Sequence, residues 1–265
     1  MRKTFDFNSD YRQYLPQLKW LFSVGFILVL AIWIPMSISK LVHWEGNNFF
    51  FHGGIWAVTI LILNAGVKFC GAQTTELKIR PLPTLVIPLI LILTVVFALG
   101  IGPLYFLQPI SLRGVNLHAF GLEPSPVTFV LFVILLPLIE EIFFRGILLG
   151  HMLNKLSVTK AIIISSFLYA LAQWGNEHLL TALLLGAVSG LLFVVTRSLL
   201  SSIIFHITWN FFIFFSWLDG KLFLSVVKDE LPDLNGRLLL EELALVILTI
   251  GIFYLMRRMV LRQVR

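Results

Sequence analysis

The stretch "LPLIEEIFFRGIL", Leu136 to Leu148, sets Glu140, Glu141 and Arg145 inside a run otherwise made almost entirely of Leu, Ile, Phe and Pro. Charges there are costly, so the stretch belongs either to a buried soluble helix or to a membrane helix with a polar interior. The length of the run decides. Pro126 to Leu153 is predominantly apolar for more than the roughly 20 residues that a bilayer crossing needs.

The composition agrees. Of 265 residues, 58% are hydrophobic, only 13% are Asp, Glu, Lys or Arg, and 24 are Phe, more than the core of a water-soluble fold uses. Eight apolar runs read as membrane helices: 18–41, 52–70, 83–107, 126–153, 158–174, 178–196, 199–218 and 238–256. The fifth is short and is expected to tilt or to end beneath the surface. Strands are excluded because open edges would leave backbone groups unpaired in lipid and the runs are too long for barrel strands. The expected fold is all-α, a polytopic membrane bundle of about eight helices forming one integral membrane domain over residues 1–265.

Basic residues orient this bundle. Fourteen Lys and Arg fall on one side of the runs, among them Lys68, Arg80, Lys155, Arg197 and Arg257, against five on the other, Lys40, Arg113, Lys221, Lys228 and Arg237. The excess predicts both termini in the cytoplasm, and the expected location is a prokaryotic cell membrane. A net charge of +6 is then an orientation signal and a contact with anionic lipid, not a sign of nucleic acid. The first run is too long, and lacks the small-residue cleavage pattern, to be a removable signal peptide. Cys70 stands alone and reads as a reduced packing residue. The acidic interval with Asp219, Asp229, Glu230 and Asp233 reads as a solvated loop.

Proline and glycine mark the helices. Pro126 suits a helix start, whereas Pro88 and Pro137 inside apolar runs should bend them or free nearby carbonyls. Gly186 and Gly190 make the small-xxx-small spacing of a close helix contact.

Polar side chains in four runs are the candidate site. Glu141 and Arg145 are four apart and can pair along one face, which leaves Glu140 about 100° round the helix as the available base. The opposite assignment of the two glutamates is also chemically sensible. The fifth run offers Ser165, Ser166, Tyr169 and Gln173, the seventh His206, Thr208 and Asn210, and the eighth begins with Glu241 and Glu242. His206 and Asn210 are four apart and can face one site, where an imidazole moves a proton or ligates a metal and an amide holds an oxyanion. With a glutamate opposite, this set suits water-mediated peptide hydrolysis. The same residues also suit interhelical ties or a proton or transport pathway; the absence of an internal repeat counts against transport.

At these residues the chain resembles the intramembrane proteases related to the CAAX prenyl endopeptidases and the bacteriocin-processing and self-immunity proteins, the CPBP or Abi family. The family motif Glu-Glu-x-x-x-Arg is met by Glu140, Glu141 and Arg145, and His-x-x-x-Asn by His206 and Asn210, about 60 residues later. The resemblance covers about residues 126–218. It implies a helical membrane enzyme, often labelled a metalloprotease, that cuts a peptide bond close to the membrane. Glu140 would activate water with Glu141 and Arg145 in support, while His206 and Asn210 would stabilise the oxyanion or hold the catalytic water or a metal. The implied partners are membrane-proximal peptides or proteins, prenylated ones among them, and membrane lipids.

The middle motif, Phe-x-x-x-His, departs from the pattern. Tyr169 stands at the aromatic position and Gln173 where the histidine belongs. Glutamine bonds hydrogen in both senses but carries no proton at neutral pH and is a poor zinc ligand, so a two-histidine zinc site is incomplete. His178 is the nearby replacement, but five residues on it lies about 140° from the Gln173 face unless the chain folds back at Gly175 and Asn176. Two outcomes follow. If Glu140 needs only an oxyanion cluster, Gln173 can donate and proteolysis survives; if the histidine is essential, the chain is a noncatalytic membrane protein that binds hydrophobic or prenylated peptides.

Overall fold

The computed structural model describes residues 79–106, 125–173, 179–218 and 236–263. The chain divides into two compact units, Met1–Thr74 and Thr75–Arg265, and every described residue lies in the second. The first two expected helices, Cys70, His178 and the acidic interval 219–235 lie outside the described residues.

Six helices account for the remaining six apolar runs: α1 Val86–Phe106, α2 Pro126–Leu153, α3 Val158–Ala172, α4 Leu179–Thr196, α5 Leu199–Leu218 and α6 Gly236–Gln263. Helix α1 starts three residues later than expected, because Pro81 and Pro83 hold the preceding backbone extended and Val86 N–H closes a turn onto Pro83. Helix α6 outlasts its apolar run. Ile252, Met256 and Val260 stay buried at four-residue spacing while Arg257 and Arg258 remain exposed, so an apolar stripe carries the helix past the basic residues.

The described bundle is apolar outside and polar within. Leu91, Ile92 and Val95 of α1 and Val246, Ile247 and Ile250 of α6 are exposed, while Glu141, Arg145 and His206 are buried. Water would reverse this distribution; lipid favours it. Helices α2, α4 and the Leu243–Leu261 part of α6 are long and apolar enough to cross a membrane. The protein is an integral membrane protein.

Helix α5 packs against α1, α2 and α4, and its Phe205 and Trp209 meet Phe97 of α1 edge-on at 5.4 and 5.2 Å. A tight turn joins α4 to α5 at Arg197, whose φ of 54° is left-handed. Hydroxyls supply what the turn needs: Thr196 Oγ1 accepts from Ser198 N–H, and Ser198 Oγ donates to the Arg80 carbonyl at 2.6 Å. Arg80 and Arg197, assigned to one side from charge, thus lie at the same end of the bundle.

Helix α2 is not a uniform α-helix. Val130–Leu135 and Ile142–Leu149 are wide π-helical segments. Leu136 N–H reaches back five residues to Leu131. In the same register residue 137 would donate to Phe132, but proline has no N–H. Pro137 therefore frees a carbonyl, as its position in the run predicts, and Asn210 Nδ2 of α5 donates to that Phe132 oxygen at 2.9 Å.

The glycine pair forms the close contact its spacing predicts. A Cβ on Gly186 would lie 3.0 Å from Ser166 Cα of α3, and one on Gly190 would lie 3.3 Å from Ile162, whereas Gly251 has open space. Gly186→Ala should cost about 1–3 kcal/mol by overpacking a backbone contact. Gly251→Ala should instead gain about 0.5–1 kcal/mol from helix propensity. Thermal unfolding of both variants in the same detergent tests this, and equal midpoints would contradict it.

Candidate active site

Glu140 and Glu141 occupy successive positions just ahead of the second wide segment of α2, and the turn between them sends the two carboxylates to different partners. Glu141 is fully buried. Its Oε1 lies 3.1 Å from Arg145 NH1 and 2.8 Å from His206 Nδ1. The arginine contact is an ion pair without hydrogen-bond alignment, since NH1 and Nε find no acceptor, and Glu141 Oε2 has no donor. Arg145 NH2 donates to the Gly186 carbonyl at 3.4 Å, and the guanidinium carbon stands 4.5 Å over the Tyr169 ring.

An ionised carboxylate only accepts, so the proton shared with Glu141 is on His206 Nδ1. This leaves Nε2 as the nitrogen that faces Glu140 and Tyr169. Nε2 lies 3.7 Å from Glu140 Oε2 and 3.4 Å from the Tyr169 hydroxyl.

Glu140 is only 6% exposed and receives two neutral donors from α3. Gln173 Nε2 donates to Oε1 at 2.9 Å, and the Tyr169 hydroxyl donates to Oε2 at 3.2 Å. Gln173, at the end of α3, is half-buried.

Five of the six sequence-derived site residues thus converge: Glu140, Glu141, Arg145, Gln173 and His206. The sixth, Asn210, lies one turn beyond His206 and commits an amide hydrogen to Phe132. Ser166 and Thr208 spend their hydroxyls on carbonyls four residues back in their own helices, and Ser165 donates to the Phe144 carbonyl. Glu241 and Glu242 are helical, but their side chains lie outside the described residues.

Two features escape sequence reasoning. Tyr169 stood among the polar candidates of its run, and its four-residue spacing from Gln173 puts both on one helix face, but nothing in the sequence assigned its hydroxyl a partner. The Gly186 carbonyl carries no side-chain signal at all.

The donor set does not fit a zinc site. Structural and catalytic zinc draw on three or four Cys, His or carboxylate ligands. Around Glu140 stand one imidazole, a phenol and an amide, and the imidazole's other nitrogen already binds Glu141. Among the described residues no other group of His, Cys, Asp and Glu is arranged to hold a metal.

A family model described as Type II CAAX prenyl endopeptidase Rce1-like matches residues 122–212. The chain is similar to that family over this segment. The matched segment runs from just before α2 into α5 and contains every residue of the converging site. Comparisons with curated proteins and with solved structures find no match. The description is that of a peptidase family, and the exchange at Gln173 falls inside the matched segment.

The buried network of the Rce1-like core has measurable consequences. Arg145→Met leaves Glu141 charged and without its cation, and should cost about 3–5 kcal/mol, whereas adding Glu141→Gln should recover part of that loss. Asn210→Ala leaves the Phe132 carbonyl bare and should cost about 1–3 kcal/mol. The same substitution should cost less in a Pro137→Ala background, where a backbone N–H returns. Double-mutant cycles of thermal unfolding measure both couplings, and strict additivity would contradict them.

Proposed function

We propose that the protein is an intramembrane endopeptidase that hydrolyses a peptide bond near the membrane with water activated by Glu140. The observation that carries this reading is the approach of His206 Nε2 to 3.7 Å from Glu140, beside a second glutamate that holds the imidazole from behind.

Glu140 takes a proton from water, and the water oxygen attacks the scissile carbonyl. His206, with Nδ1–H on Glu141, faces the same reacting region through Nε2 and accepts a hydrogen bond from the attacking water. Collapse of the intermediate breaks the C–N bond while Glu140 returns its proton to the leaving amine. Glu141 and Arg145 act through His206, and Asn210 acts by holding the Phe132 turn of the helix that carries both glutamates. No step passes through a metal, because the donor set does not suit one.

The substrate in this reading is a membrane-proximal peptide or protein, prenylated tails included, met within the lipid. In this reading the membrane is that of a prokaryotic cell, and both termini lie in the cytoplasm as the basic-residue excess predicts.

One observation favours a second reading. Glu140 already accepts from Gln173 and Tyr169, the internal satisfaction expected of a noncatalytic protein that binds hydrophobic or prenylated peptides.

Purified protein in lipid vesicles, offered farnesylated and unmodified membrane-anchored peptides, separates the two. Cleavage is expected, is expected to persist after chelation, and should fall roughly a hundred-fold or more in Glu140→Gln. Peptide binding without turnover, equal in wild type and variant, would establish the second reading instead. Loss of activity on chelation would restore the metalloprotease.

A further inference from the structure

The Tyr169 hydroxyl stands between the two groups that handle protons. It is 3.2 Å from Glu140 Oε2 and 3.4 Å from His206 Nε2. With His206 Nδ1–H committed to Glu141, both neighbours are acceptors, and the phenol has one hydrogen to offer. A rotation of that O–H redirects it without moving a heavy atom.

The ring itself is held. Phe144 meets it edge-on at 5.1 Å, His206 at 6.0 Å, and Arg145 Cζ lies 4.5 Å over its face. A cation on the ring face draws on the π electrons that stabilise the O–H, which makes the hydroxyl a stronger donor. Gln173 on the other oxygen has no proton to move, so the mobile hydrogen beside Glu140 belongs to Tyr169.

We infer that Tyr169 is a catalytic residue of this site, whose phenol O–H hydrogen-bonds the oxyanion formed at the scissile carbonyl. The inference rests on the hydrolytic reading above. Before attack the O–H holds Oε2 of ionised Glu140. Once Glu140 has taken the proton of water, Oε2 is no longer an anionic acceptor, while negative charge has appeared on the carbonyl oxygen. The O–H turns to it. The phenol keeps its proton throughout: the water oxygen bonds to carbon, the carbonyl π pair moves onto oxygen, and its return expels the amine, which takes the proton from Glu140. Gln173 stays on Oε1 and fixes the carboxyl while Oε2 changes partner.

The test compares wild type, Glu140→Gln and Tyr169→Phe in phosphatidylethanolamine and phosphatidylglycerol vesicles. The probes are a peptide from the set above and a phosphinic peptide of the same sequence, whose tetrahedral oxygens mimic the oxyanion. Tyr169→Phe should lower kcat about 100- to 1,000-fold with KM little changed. It should also lose the preference that wild type shows for the phosphinic peptide over the amide. If Tyr169→Phe unfolds, 4-fluorophenylalanine in place of Tyr169 keeps a polar group of similar size without the hydrogen, and the same losses are expected. A tyrosine variant that cleaves as wild type does, while Glu140→Gln is inert, overturns this inference and leaves the hydrolytic reading standing. A wild type that cleaves none of the peptides overturns both.

Discussion

Glu141 is a carboxylate with no exposed surface, and the rest of the site is arranged around neutralising it. In a medium of low dielectric an ionised carboxylate persists only with cations and donors directed at it. Arg145 comes from one turn along the same helix and His206 from α5, and both meet the same oxygen. Arg145 then extends the constraint, since its other nitrogen bonds a carbonyl of α4 and its plane covers a ring of α3. A single ion network therefore touches α2, α3, α4 and α5. Apolar residues of similar volume would join these helices at lower electrostatic cost. What they would not supply is an imidazole held by one nitrogen with the other aimed at Glu140.

The adjacency of the two glutamates divides their roles. Neighbours on a helix point about 100° apart, so the pocket that buries Glu141 cannot also bury Glu140 in the same way. Glu140 reaches the end of α3 instead, where its donors are a phenol and an amide rather than cations. A base needs to accept a proton during the reaction, and a carboxylate clamped by a guanidinium is poorly suited to that. Glu140 is the less constrained of the two. The lipid around the bundle strengthens each of these contacts by excluding water.

Backbone irregularity makes this geometry reachable. Pro137 precedes the glutamates by about one turn and removes a donor from α2 at Phe132, and Asn210 of α5 replaces it. The bond that repairs the helix also ties α2 to α5, one turn from where His206 meets both glutamates. Gly186 contributes in another way: without a side chain it lets α3 approach α4 closely while its carbonyl takes Arg145.

Much of this was open to reading from residue order. Apolar run length gives the described helices to within a few residues at most ends, because lipid admits only segments that satisfy their own backbone. Four-residue spacing pairs Glu141 with Arg145, since both lie on one element. The freed carbonyl near Pro137 and the close contact at Gly186 are likewise local consequences of a missing N–H and a missing Cβ. Contacts between helices follow from packing and have no such local signature. That His206 would grip Glu141 by one nitrogen and face Glu140 with the other depends on how α5 lies across α2. Tyr169 shows the limit: its place in a motif was visible in the chain, but only the fold set its hydroxyl between a glutamate and an imidazole.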